Sequence, residues 1–113
     1  MKVFNKTKNI TLASRAVLAD TFVSRLTGLL NRNSLSKDEA LIITHCQSIH
    51  MFFMRFAIDV IFVGRDNRVV GIVENIKPFQ LSPVFFNSRY AIELKAGVIL
   101  ATQTSIGDYL DLI

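Results

Sequence analysis

The 113-residue chain contains one cysteine, two prolines, five glycines and no tryptophan. With Cys46 alone, no intramolecular disulfide can form and every multi-cysteine zinc pattern is excluded, which fits a reducing compartment. Pro78 and Pro83 make no proline-rich linker, and there is neither an internal repeat nor a low-complexity stretch at which to divide the chain. No apolar run approaches the roughly 18 residues needed to span a bilayer, and Met1 to Lys8 hold no stretch resembling a signal peptide. A soluble, cytoplasmic protein that does not use a membrane is expected. A phosphate-binding glycine loop, a nucleophile elbow and a two-histidine metal motif are also missing, so no metal and no other cofactor is expected.

What the chain has in quantity is apolar side chains: half of its residues are hydrophobic, nine are Phe, and only 19% are charged. That composition predicts a folded chain with a sizeable core, and the length predicts one domain over 1–113. The net charge of +4 is unevenly spread, because residues 1–37 carry seven Lys or Arg against Asp20 alone. Such a basic third suits nucleic acid or an acidic partner, but its charges are scattered rather than dense, which argues against nucleic acid.

Phe22, Leu26, Leu29 and Leu30 recur at i, i+4, i+7 and i+8, the stripe of an amphipathic helix near 21–31. Downstream the period falls to two and β-branched and aromatic residues dominate, predicting strands near 40–46, 48–54, 57–64, 68–75, 90–95 and 107–112. A tight turn at Arg65 to Arg68 would join two of them as a hairpin. Residues 76–89 hold both prolines with Phe79, Phe85 and Phe86, and read as a long loop packed over an apolar surface, with the capacity to act as a lid. A short helix is expected near 98–104. The fold class predicted is mainly β (α+β), a small antiparallel, barrel-like sheet with the early helix against one end.

Among residues able to carry chemistry, Cys46 and His50 stand four apart. On one straight strand they would share a face but lie about 13 Å apart, at about 3.3 Å per residue, so a shared metal or a thiolate–imidazole pair requires a bend at Gln47-Ser48. The competing reading makes Cys46 a small buried hydrophobe. His50, inside the apolar run Ile49 to Met54, is either a satisfied core histidine or the polar anchor of a ligand pocket. Asp59 interrupts the apolar run Phe56 to Val63; if buried it needs a partner, and Arg55 and Arg25 are the candidates. Glu93, between Ile92 and Leu94, faces solvent or lines an interior, and with Asp59 it could form a general acid/base pair. Asp108, after Gly107, reads as a turn-supporting residue.

The pieces Arg25-Leu26-Thr27-Gly28-Leu29-Leu30, Ala40-Leu41-Ile42-Ile43 and Cys46-x-x-Ile49-His50-x-Phe52-Phe53-Met54-Arg55-Phe56-x-Ile58-Asp59-Val60-x-Phe62 together resemble the domain of unknown function 192 family of bacteria and archaea. Asn67-Arg68-Val69-Val70, Lys77-Pro78-Phe79, Ile92-Glu93-Leu94-x-Ala96-Gly97 and Ile106-Gly107-Asp108 follow in the family's order, so the resemblance covers about residues 12–112. The chain departs from the pattern at Ala57, where the family usually has Pro, and at Met51, where this branch often has Thr. The resemblance implies a small, mainly β, barrel-like domain and supplies no activity.

The reading that fits best is a ligand- or partner-binding accessory domain, taking an unknown small ligand or protein near His50, Asp59, Glu93, Arg25, Arg55 and Cys46. A small hydrolase or lyase with His50 as general base, assisted by Asp59 or Glu93, is the alternative in the enzyme class. Nucleic-acid binding through the basic N-terminal third is the remaining one.

Overall fold

The computed structural model describes residues 1–19, 29, 32–52 and 54–113. Its strands are β1 (Val3–Asn5), β2 (Ile10–Ala13), β3 (Arg15–Ala19), β4 (Glu39–Thr44), β5 (Ile58–Val63), β6 (Val69–Ile76), β7 (Tyr90–Lys95) and β8 (Leu110–Leu112), with a short helix α1 (Val98–Thr102). They form a three-stranded antiparallel sheet, β2-β1-β8, and a five-stranded sheet, β3-β4-β7-β5-β6. The mainly β class and the short helix are as expected. Two features differ: β3 and β4 pair in parallel, and neither sheet closes into a barrel. No helix among the described residues is long and apolar enough to cross a membrane. The amphipathic helix expected near 21–31, and Arg25 with it, lie outside the described residues.

All six residues of β5 are buried because both faces of the larger sheet are covered. On one face Ile42, Ile61, Val63, Ile92 and Leu94 pack against Val3, Leu12 and Leu110 of the small sheet and against Val98 and Ile99 of α1. On the other, Ile43, Ile58, Val60, Phe62 and Ala91 meet Leu29, Leu35, Cys46, Ile49, Met51 and Met54. The second layer comes largely from the stretch predicted as a strand at 48–54. That stretch makes only an isolated bridge, His50 to Leu81, among the described residues. The chain leaves the sheet at His45, whose φ is 53°, and then crosses the face, so its apolar residues serve as a cover rather than as a further strand.

The Arg65–Asn67 turn between β5 and β6 is confirmed, with Asp66 and Asn67 at positive φ, a conformation their side chains tolerate. The chain ends are joined by a buried polar knot. Asn5 donates from Nδ2 to Asp108 Oδ2 (2.9 Å), Lys8 Nζ reaches the same oxygen (2.9 Å), and the Ser105 N–H donates to it as well (3.0 Å). Burial opposes ionisation of Asp108, but these donors outweigh it and hold the carboxyl below its ordinary value. The turn-supporting reading of Asp108 therefore stands, with Asn5 as an unforeseen partner.

The 76–89 segment is anchored through Phe85, whose ring lies 4.5 Å from that of Phe62. Gly71 of β6 faces that ring so closely that a Cβ there would overlap it. Gly71→Ala is therefore expected to destabilise the protein by about 1–3 kcal/mol, the range for overpacking. Urea denaturation checks this, and a stabilised Gly71→Ala protein would contradict the packing described.

Candidate functional site

Asp59 is fully buried, and no arginine among the described residues reaches it. Its Oδ1 accepts the Asn75 N–H (2.8 Å), and its Oδ2 accepts the N–H groups of Gly97 (3.0 Å) and Ile99 (2.9 Å). The Asn75 contact sits where Glu74 and Asn75 of β6 oppose the single residue Asp59, a β-bulge with Asn75 at φ 52°. The other two lie at the start of α1, where backbone N–H groups have no partner within the helix. Asp59 thus joins β5, the β6 bulge and the β7–α1 corner. Arg55, one expected partner, instead donates from Nη1 to Asn33 Oδ1 (3.0 Å) on the surface.

Glu93 is also buried, but on the opposite face. In the ladder Asp59 stands beside Leu94, while Glu93 stands between Leu41 and Val60. No hydrogen-bond or ion-pair partner surrounds its carboxyl among the described residues, and burial in this apolar layer raises its pKa to about 7. The two carboxyls are therefore separated by the sheet and cannot act as a pair. Cys46 lies in the same layer as Glu93 and donates from Sγ to the Ser48 carbonyl (3.2 Å). Burial is the main cause that pushes its thiol up to about 11, so it carries little thiolate.

His50 lies at the surface, exposed, its ring 5.4 Å from that of Phe52. The buried-imidazole expectation is corrected for a simple reason: the backbone at His50 pairs with Leu81, leaving Ile49 and Met51 to point inward. Since its side chain is exposed, His50→Ala is expected to change stability by less than about 0.5 kcal/mol, as thermal unfolding would read. The loop across from it is no free lid. Met51 N–H donates to Gln80 O (2.8 Å), Phe79 N–H to Met51 O (2.9 Å), Ser82 N–H to Ile49 O (2.9 Å) and Phe85 N–H to Gln47 O (2.8 Å). These four bonds fasten residues 79–85 to residues 47–51.

A concavity lies beyond this seam, at the end of the sheet where β4 exits, β5 turns into β6 and β7 begins. It is a cleft of about 1320 Å³, walled by residues 44–48, Arg65, Asp66, Arg68, Val70, residues 86–90 and Tyr109. Its walls are fixed by the backbone: Arg89 N–H donates to Val63 O (2.8 Å), Ser88 Oγ to Cys46 O (2.7 Å) and Gln47 Nε2 to Phe86 O (2.9 Å). Arg65, Arg68 and Arg89 all border it, with Asp66 as the one acidic side chain of its wall. Arg68 lies over the Tyr109 ring, 6.0 Å from its centre, and Tyr90 Oη donates to Asn67 Oδ1 (2.9 Å).

None of these three arginines has an ion-pair partner among the described residues. The cations of the basic N-terminal third differ, since Lys8 pairs with Asp108 (2.9 Å), Arg15 with Asp38 (2.9 Å) and Arg32 with Glu39 (3.1 Å). The charge that looked available in the sequence is partly neutralised, and the arginines without partners are those brought together by β5–β6 and β7.

The model of the DUF192 family, described as uncharacterized ACR, matches residues 3–112. The chain belongs to the DUF192 family. Among its relatives, a UPF0127 protein of Thermococcus sibiricus is 34% identical over 113 residues, covering 96% of this chain and 73% of that protein. The UPF0127 protein PH1112 of Pyrococcus horikoshii is 33% identical over 109 residues, covering 94% of each. The fold also resembles the crystal structure of a protein of unknown function from Novosphingobium aromaticivorans, with a TM-score of 0.84 and 24% identity over 98% of this chain and 82% of that one. In this DUF192 chain the cleft arginines escaped sequence reading because they are 24 residues apart at most and carry no motif as a set. Of the three, only Arg68 falls in a piece of the family pattern, Asn67-Arg68-Val69-Val70. The available signal was the turn: Arg65, Asp66 and Arg68 crowd the tip of the predicted hairpin.

Proposed function

We propose that this chain is a binding or accessory domain whose site is the arginine-lined cleft, and whose ligand is a small polyanion. The observation that carries this reading is the convergence of Arg65, Arg68 and Arg89 on one cleft without ion-pair partners among the described residues. Three arginines bordering one cleft offer an anion the planar fork that a guanidinium presents to phosphate or carboxylate oxygens. The pinned walls favour such a site, because little must be ordered when the ligand arrives. This location replaces the one near His50. A cytoplasmic setting accords with a lone, buried thiol.

The hydrolase or lyase reading has less support, because Asp59 is occupied by three backbone N–H groups and Glu93 opens to the other side of the sheet. The test is calorimetric titration of inorganic pyrophosphate at low salt. Binding is expected, weakening with added salt, and Arg89→Ala should lower affinity roughly tenfold, the equivalent of about 1.4 kcal/mol. No heat and no thermal shift at about 10 mM pyrophosphate, well above a millimolar Kd, would overturn the reading.

A further inference from the structure

We infer that the polyanion of this cleft carries an aromatic ring, so that its ligand is a nucleoside diphosphate or triphosphate. The inference rests on the anion reading above and adds a second half to the site. Beside the arginines the cleft bears Phe86, which is 80% exposed, and Tyr109, which is 44% exposed. Large aromatic rings left in water at the rim of a concavity are surface that a flat apolar group would cover. Tyr109 and Arg68 are already adjacent, with the guanidinium 6.0 Å from the ring centre. A base packed on Phe86 and against the exposed part of Tyr109 would thus lie beside Arg68, and the other two arginines border the same space. A ligand bearing only negative charge would leave the rings uncovered, and one bearing only a ring would leave the three arginines unpaired.

The dimensions agree. Pockets for small ligands usually enclose about 300–1,000 Å³, and this more open cleft, at about 1320 Å³, admits a ligand with both parts. A nucleic acid strand would need the basic surface to continue along a groove, but the segment leading to Phe86 presents Val84, Leu81 and Phe79, all apolar and exposed. A single nucleotide fits this pattern better than a strand.

The experiment compares ADP, pyrophosphate and adenosine by calorimetric titration on the full chain, with a fifteen-residue deoxyadenosine strand as competitor. ADP is expected to bind at least about tenfold more tightly than pyrophosphate, within the range of base–aromatic stacking. Phe86→Ala should reduce that advantage while leaving pyrophosphate affinity unchanged, Tyr109→Ala should reduce it as well, and Tyr109→Trp, which keeps a ring beside Arg68, should preserve it. Phe86 is exposed enough for its variant to fold whatever happens to Tyr109→Ala. Equal affinity for ADP and pyrophosphate would overturn the aromatic half and leave the anion reading standing. Failure of both to bind would overturn both. Displacement of ADP by the strand at lower concentration than by unlabelled ADP would overturn the mononucleotide inference in favour of nucleic acid.

Discussion

Asp59→Ala is expected to destabilise the protein by on the order of 4 kcal/mol, lowering the thermal midpoint by about 15 °C for a domain of this size. The size of the effect comes from what is left behind rather than from what is removed. The N–H groups of Asn75, Gly97 and Ile99 would each lose their acceptor, the first two in partly buried bonds and the third in a fully buried one. Leaving a buried donor unsatisfied costs about 1–3 kcal/mol per group. Asp59→Asn separates shape from acceptor count. Its single amide oxygen can serve one side of the original carboxyl, and its NH2 then confronts N–H groups on the other, so a loss of about 2 kcal/mol is expected. Urea denaturation of both variants decides the matter. An Asp59→Asn protein as stable as the parent would sink the assignment of Asp59 as a three-point acceptor.

The second large effect concerns Glu93, and it runs in the opposite direction. Its pKa is raised from 4.5 to about 7 by burial, so the folded chain holds its proton more tightly than the unfolded chain does. Between about pH 4.5 and 7 the unfolded state has released that proton while the folded state still keeps it. Stability therefore falls as pH rises through this window and levels off above it, by on the order of 3 kcal/mol in all. Glu93→Gln cannot ionise and should be the more stable protein at pH 8, with the difference vanishing near pH 4. Chemical denaturation of both proteins across pH 4 to 8 reads the difference directly and cancels the titration of the two histidines. A constant difference over that range would contradict the burial of an ionisable group at this position.

These two acids show how far a sequence can be read. The apolar run Phe56 to Val63 sets Asp59 among apolar neighbours, whereas for Glu93, between Ile92 and Leu94, the sequence leaves solvent and interior both open. Whether the two carboxyls meet depends on the register of β5 on β7, which sets Asp59 beside Leu94 and turns Glu93 to the other face. A shift of one residue would have reversed the faces, and nothing local specifies it. The strands β1, β2 and β3 were not legible for a related reason: at three to five residues each they are too short for alternation to stand out, and β1 and β3 are held by partners distant in sequence. The stretch 48–54 was misread because a chain that covers a sheet buries alternate residues as a strand does. Ile49 and Met51 point inward in either case, and only the pairing partner differs.

By itself the sequence determined the mainly β class, the hairpin at Arg65 to Arg68, the helix after Gly97, the turn at Asp108 and the family. These depend on local preference and on period, which act between neighbours in the chain. The tertiary structure decided which charges were already paired, that His50 stands at the surface, and that Arg65, Arg68 and Arg89 share one cleft. Those are distances between residues far apart in the chain, set by long-range strand register and by the path of irregular segments, and no short-range pattern encodes them.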